Sequence, residues 1–439
     1  LTEIFPKLKS KTFSFAKLRG SIARVGNDAG FDRLINSYSY GGLFRNDMAW
    51  FQGDAVRKNP NLKPETTISK EIGAEVRLLD GRLTADVTYY DKYTRDQIVE
   101  SELSYLSNYQ RVIINSGKIS NKGLEISVSG VPVKVKNFEW KTIFNWSKNN
   151  SMVESLPEGI DKIQIGSGVY NVKSYAEVGK PYGAIYAKTF KRDAEGYILC
   201  QLDGSPKEGQ DYEYLGCVQA DWRGGWNNVF RLGNFSFSVM FDFQKGGKFF
   251  SQTSIQSSVD GQSVKSLEGR DADFFSRKIL GESDEERYGF MRPQNANTPT
   301  ANGQIYPDWG RPKGVVLPNC RYDEDVEGLA GQQVLGYCTP ERYWMHYTSR
   351  DISRFIYDAS YVKLREITVS YDLPKKWLRK TPFQTFRVAA VGRNIATLFA
   401  NTPHGLDPQA TSTTGNAQGF ERGFNLPSAT YGFDIKVSF

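Results

Sequence analysis

Long apolar runs are missing from this 439-residue chain. Its mean hydropathy is −0.49, and no stretch approaches the roughly 18 consecutive apolar residues that a membrane helix needs. Crossing a bilayer with helices is therefore excluded. Crossing with strands is not, because a barrel strand shows lipid only its alternate residues. Cysteine and histidine are also scarce, at four and two. Cys200, Cys217, Cys320 and Cys338 lack the CxxC spacing of a zinc or redox site. His346 and His404 stand apart, and no G-x-S-x-G, H-E-x-x-H or P-loop pattern occurs. No catalysis and no cofactor or metal is expected. Charge of one sign does not accumulate: 56 basic and 49 acidic residues leave +7, without the Lys/Arg block of a nucleic-acid-binding face. No basic n-region or apolar h-region follows Leu1, so the chain reads as the C-terminal part of something longer.

What is present is aromatic and alternating. Aromatics make up 13% of the residues, with 24 Tyr and 27 Phe, and there are 41 Gly. The last nine residues set Tyr431, Phe433, Ile435, Val437 and Phe439 against Gly432, Asp434, Lys436 and Ser438. A strand sends successive side chains to opposite faces, so this segment has one apolar and one polar face. The same pattern recurs. Ile72, Ala74, Val76 and Leu78 lead through Leu79-Asp80-Gly81 to Leu83, Ala85, Val87 and Tyr89, a hairpin signal. Phe138, Trp140, Thr142, Phe144 and Trp146 alternate with Glu139, Lys141, Ile143, Asn145 and Ser147. Phe235, Phe237, Val239, Phe241 and Phe243 are set against Ser236, Ser238, Met240, Asp242 and Gln244. About ten strands follow from such runs.

The links between them alternate in length. Those after residues 78, 131, 231 and 373 are short. Those across 26–66, 99–112, 150–218, 247–351 and 400–426 are longer. In an up-and-down sheet alternate links lie at opposite ends, so one end has tight turns and the other elaborate loops. Outer-membrane barrels have that asymmetry. A soluble β-sandwich, the competing fold, has no reason to keep it, nor room for a link of roughly a hundred residues. The expected fold is all-β: a transmembrane antiparallel barrel wall with lipid-facing Phe235, Phe237, Phe241, Phe243, Tyr431, Phe433 and Phe439. Tight turns on the periplasmic side place the C-terminus at the periplasmic rim.

Five stretches then carry a family resemblance, in order along the chain. They are Asn59-Pro60-Asn61-Leu62-Lys63-Pro64-Glu65, Ile119-Ser120-Asn121-Lys122-Gly123-Leu124-Glu125 and Glu177-Val178-Gly179-Lys180-Pro181-Tyr182-Gly183. The other two are Asp358 to Glu366, running into Tyr371-Asp372-Leu373-Pro374, and Gly392-Arg393-Asn394-Ile395-Ala396. With them the chain resembles the SusC/RagA branch of TonB-dependent outer-membrane transporters of Bacteroidota. The resemblance implies a 22-stranded barrel closed by an N-terminal plug, of which residues 1–439 are the C-terminal part. The plug and N-terminal strands lie outside this chain. It further implies import of oligosaccharides or oligopeptides with a SusD-like surface lipoprotein, and TonB contact through the absent N-terminal region. The rival reading is a non-transporting receptor or adhesin that uses the barrel as an anchor.

The long links supply the candidate sites. Aromatics in them, Trp50 and Phe51 in one, Tyr306, Trp309, Tyr337, Tyr343, Trp344 and Tyr347 in another, stack on sugars or hold peptide side chains when exposed, and otherwise pack the loops. Trp309, Tyr343 and Trp344 are the expected contacts for cargo or lipoprotein. The even cysteine count, confined to two long links of an exported chain, predicts the disulfides Cys200–Cys217 and Cys320–Cys338, with four free thiols as the alternative. The acidic clusters Asp193-Ala194-Glu195-Gly196 and Asp323-Glu324-Asp325-Val326-Glu327 hold carboxylates that a Ca²⁺ site would need, without the spacing of an EF-hand.

Overall fold

The computed structural model describes residues 2–5, 7, 9–45, 47–103, 105–115, 117–202, 204–267, 315–338, 343–403, 405–410, 418–423 and 428–439. Ten long strands form one antiparallel sheet in strict chain order. They are β1 (Phe13–Asn27), β2 (Glu65–Leu78), β3 (Leu83–Arg95), β4 (Lys118–Val135) and β5 (Phe138–Ser155). Then come β6 (Trp222–Leu232), β7 (Phe235–Lys245), β8 (Tyr361–Asp372), β9 (Thr385–Ala400) and β10 (Thr430–Ser438). β1 and β10 are the two edges of an open sheet. No helix among the described residues is long and apolar enough to cross a membrane.

The register turns the alternation of single strands into continuous rows. One row runs Ala16, Val76, Ala85, Val128, Phe144, Trp226, Phe241, Leu364 and Ala396 from β1 to β9, each opposite the next. The neighbouring row runs Lys17, Glu75, Asp86, Ser127, Asn145, Gly225, Asp242, Lys363 and Thr397. Every member of the first is apolar, and every member of the second is polar or Gly. A slip of one residue in any pair would break both rows, so the two-sided environment specifies the register. Stacked rings reinforce the apolar face, with Trp226 on Phe241 at 5.9 Å and Phe230 on Phe237 at 6.2 Å between centroids. Phe235, Phe237, Tyr431, Phe433 and Phe439 are exposed, Phe433 by 86%. Phe241, stacked on Trp226, and Phe243 are half-buried.

Tight connections join β2 to β3, β4 to β5 and β6 to β7, and a link with a single helical turn at Lys375–Leu378 joins β8 to β9. Leu79, Asp80 and Gly81 all take positive φ in the first. The remaining links carry the rest of the fold. They build a four-stranded sheet from Lys162–Ser167, Lys173–Glu177, Ala184–Phe190 and Glu208–Cys217. A three-stranded sheet follows from Ile198–Cys200, Val315–Tyr322 and Gln333–Cys338. Another joins Ile356–Asp358, Lys248–Ser251 and Phe420–Glu421. Helix α1 (Gln252–Val259) begins at Ser251, whose hydroxyl accepts the Ser254 N–H.

Three strands differ from the expectation. β4 and β5 extend well past the alternating runs, because polar Asn121 and Lys122 pair with Ser151 and Asn150 after the apolar face has ended. The stretch between the long link that ends at 351 and the short link after 373 is only partly a wall strand. Ile352–Phe355 makes a 3₁₀ turn, and Ile356–Asp358 leaves to pair with Lys248–Ser251.

Candidate functional site

The polar face of the wall is cross-linked by side chains that reach over small residues. Arg19 on β1 bridges Asp86 on β3, at 2.7 and 2.6 Å, across the intervening β2. It passes over Gly73, where a Cβ would lie 2.6 Å from its Nε. Tyr90 on β3 likewise crosses Gly123 on β4, and its hydroxyl donates to Asn149 Oδ1 on β5 at 3.1 Å. A Cβ at Gly123 would meet that ring, and would lie 2.7 Å from the Lys148 carbonyl oxygen. This is the close approach that a strand glycine signals. Arg19, Asp86, Glu125, Asn145, Arg223 and Asp242 line a concavity of about 500 Å³ on this face.

A second cluster sits where β7 and β8 meet the long links. Tyr361, Lys363 and Arg365 alternate along β8 onto the polar face, with Asp242 opposite Lys363. Arg365 donates to Asp242, and the Tyr361 hydroxyl donates to Asp242 Oδ2 at 3.3 Å. The link after β9 turns inward, and Asp407 accepts from Lys363 Nζ at 2.5 and 2.6 Å. Gln409 Oε1 accepts from Lys363 at 2.9 Å and from Arg365 at 2.6 Å. Its amide donates to the Tyr361 hydroxyl at 2.5 Å. In the sequence, Asp358 to Glu366 stands only as a strand motif. The i, i+2 spacing of Lys363 and Arg365 was the available signal, but their loop partners lie too far along the chain to be read.

The expected contact aromatics are elsewhere. Tyr343 and Trp344 lie in a π-helical turn, Tyr343–Tyr347, and are 1% and 2% exposed. They pack with Phe190, Ile198, Val315, Tyr322 and Val334 as the core of a loop domain. The physical reason is plain: a link of this length needs its own core to be ordered. Neither ring is open to cargo or a partner. Trp309 lies outside the described residues, as do Tyr306 and His404.

Ion pairs hold the two halves of that domain together. Asp323, nearly buried, accepts from Lys191 Nζ at 2.9 Å and Lys207 Nζ at 2.8 Å, and Asp325 pairs with Lys207 at 2.5 Å. Burial pushes the Asp323 carboxyl up, but the hydrogen bonds from Lys207, Lys191 and the Glu324 N–H outweigh it and bring the pKa to about 2. Arg321 binds Asp193 at 2.9 Å and Glu195 at 2.8 Å, with its guanidinium 3.9 Å from the Tyr197 ring centroid. Asp193, Glu195, Asp323 and Asp325 are thus engaged by Lys and Arg, and no group of His, Cys, Asp and Glu among the described residues is arranged for a metal.

The expected disulfides are not formed. Cys217 ends the strand Glu208–Cys217 opposite Ala184. It is a free thiol that donates to the Tyr182 carbonyl at 3.5 Å, and burial raises its pKa. Cys200 belongs to a different sheet, where Ile198–Cys200 runs parallel to Val315–Tyr322. In the next pair Cys320 lies opposite Val334, and Cys338 opposite Val315. Four residues of strand, roughly 13 Å at ~3.3 Å each, separate Val334 from Cys338. That exceeds the ~7 Å Cα limit for a bridge. The structure instead brings Cys200 and Cys320 into one core.

Exposed aromatics do occur, on the hairpin Tyr38–Phe44 with Met48–Gly53. Tyr38, Tyr40, Phe44, Trp50 and Phe51 are all exposed there. Trp50 lies over Gly41, where a Cβ would sit 2.5 Å from the indole.

An up-and-down wall, apolar on one face, polar on the other and elaborated at one end only, defines a barrel of the outer-membrane type. Residues 11–395 match the family model described as TonB dependent receptor-like, beta-barrel, and the chain belongs to that family of outer-membrane receptors and transporters, which are not enzymes. It is 25% identical over 395 residues to TonB-dependent receptor P3 of Formosa agariphila, covering 85% of this chain and 33% of that protein. It is 29% identical over 104 residues to TonB-dependent receptor SusC of Bacteroides thetaiotaomicron, covering 24% of this chain and 10% of SusC. The fold superposes on the RagAB peptide transporter with a TM-score of 0.66 and 17% identity, covering all of this chain and 42% of the RagAB one. The chain thus spans about a third of P3 and under half of the matched RagAB chain.

Proposed function

We propose that this chain is the C-terminal wall of a TonB-dependent importer of oligosaccharides or oligopeptides, working with a SusD-like surface lipoprotein. The observation that carries the reading is the pairing of a continuous apolar row and a continuous polar row across β1 to β9 with links elaborated at one end only. A wall of this kind separates lipid from a polar lumen. The elaborated end then faces outward, the tight turns face the periplasm, and Phe439 lies at the periplasmic rim. Kinship with SusC and the RagAB fold supports the lipoprotein partner; RagAB itself is named a peptide transporter. TonB contact falls to the region upstream of these residues. The test is deletion of the gene, with uptake of labelled oligosaccharides and oligopeptides measured beside a TonB-deficient strain. Loss of uptake of at least one class in both strains is expected. Uptake that survives deletion, or that ignores TonB, would favour an adhesin or receptor anchored by the barrel.

A further inference from the structure

Along the wall, cations find their acids on strands. Arg19 pairs with Asp86, Lys92 with Glu71, Lys122 with Asp91, Arg365 with Asp242, Arg387 with Asp372 and Arg393 with Glu366. Lys363 is different. Its side chain is 6% exposed, and its carboxylate partner, Asp407, comes from a link. The strand opposite already supplies an acid, Asp242, but Arg365 and Tyr361 hold it. Two cations therefore sit two residues apart on the polar face, at the end of the wall where the long links begin, with one wall carboxylate between them. Segment 405–410 provides the second. It also provides the Gln409 amide, which both cations and Tyr361 contact. A carboxylate and a nearby amide are the groups that the wall recognises, and here the chain supplies both to itself.

We propose that Lys363 and Arg365 form a carboxylate-binding site at the mouth of the lumen, occupied in this structure by Asp407 as an internal ligand. The visitor that replaces Asp407 is a carboxylate-bearing cargo, preferably with an amide beside the acid. That last assignment rests on the importer reading; the site itself does not. A buried ammonium left without its acid is strongly disfavoured, so removing Asp407 creates a vacancy that takes up an anion of the same shape.

The experiment is chemical rescue. The full-length protein, purified in detergent, is treated with an amine-acetylating reagent, and modification of Lys363 is read by peptide mass spectrometry. In Asp407→Gly, labelling of Lys363 rises about tenfold or more, as expected for a buried group whose local opening has become easier. Sodium acetate returns it toward the wild-type level, and N-acetylglycine, which adds the amide, does so at lower concentration. Sodium chloride at matched ionic strength does not. Asp407→Ala, which also removes the carboxylate and leaves the space, provides the same readout if the glycine variant fails to show the heat-modifiable mobility of a folded barrel. The proposal is overturned if labelling does not rise in the folded variant, or if chloride protects as well as acetate. The assay uses neither TonB nor cargo. Its failure leaves the importer reading standing, and a failed uptake test leaves carboxylate binding measurable.

Discussion

Two residues illustrate how much single positions decide. Gly123 is where Tyr90 crosses from β3 to reach Asn149, and a side chain there would press on both the ring and the Lys148 carbonyl. Backbone cannot yield as a flexible side chain can. Gly123→Ala should therefore cost about 1–3 kcal/mol, read as a lower urea midpoint for the heat-modifiable barrel; an unchanged midpoint would count against the crossing. A glycine within a strand signals close approach, but the sequence does not name Tyr90 as what crosses Gly123, 33 positions away. Asp323 behaves differently, through pH. Its pKa of about 2 in the fold lies below the ordinary 3.8. The stabilisation is therefore complete above about pH 4 and is lost as pH falls toward 2, amounting to about 2 kcal/mol. The near-UV signal of the Tyr343–Trp344 core should melt at lower urea at pH 3 than at pH 6. In Asp323→Asn the domain should be weaker at pH 6 and nearly indifferent to this change.

At the scale of elements, periodicity is the legible part. The runs at 235–243 and 431–439 alternate in sequence and fold as β7 and β10 with that register. Side-chain direction follows from the period of two, so the apolar faces of β7 and β10 could be named residue by residue, whereas a bulge between Leu364 and Glu366 shifts the parity within β8. Phe241→Arg therefore has a definite expected cost of about 2–4 kcal/mol near the bilayer midplane. The check is folding yield and urea stability in lipid vesicles, and a variant that folds as well as the wild type would contradict the lipid-facing assignment. Loops offer no such period. Tyr343 and Trp344 read as contact residues in the sequence, and the packing of Phe190, Ile198 and Val334 around them makes them core instead. The cysteines failed for a related reason: nearness in sequence stood in for strand register, which places Cys320 beside Ile198 instead.

Across the whole molecule, link parity carried the architecture. Short and long links alternate from β1 to β10, and all the secondary sheets belong to the long ones. What the sequence leaves hidden is how those links return to the wall, because contacts such as Lys363 with Asp407 join residues 44 positions apart without a local pattern. The central claim is that one face of the ten-stranded sheet meets lipid and the other a polar lumen. Carbene labelling of the unmodified protein from a diazirine-bearing lipid in reconstituted vesicles tests it most directly. Adducts mapped by mass spectrometry should fall on Phe235, Phe237, Phe241, Phe433 and Ile435 and skip Ser236, Ser238, Asp242 and Asp434. Adducts spread equally over both sets, or missing from all of these strands, would contradict the account.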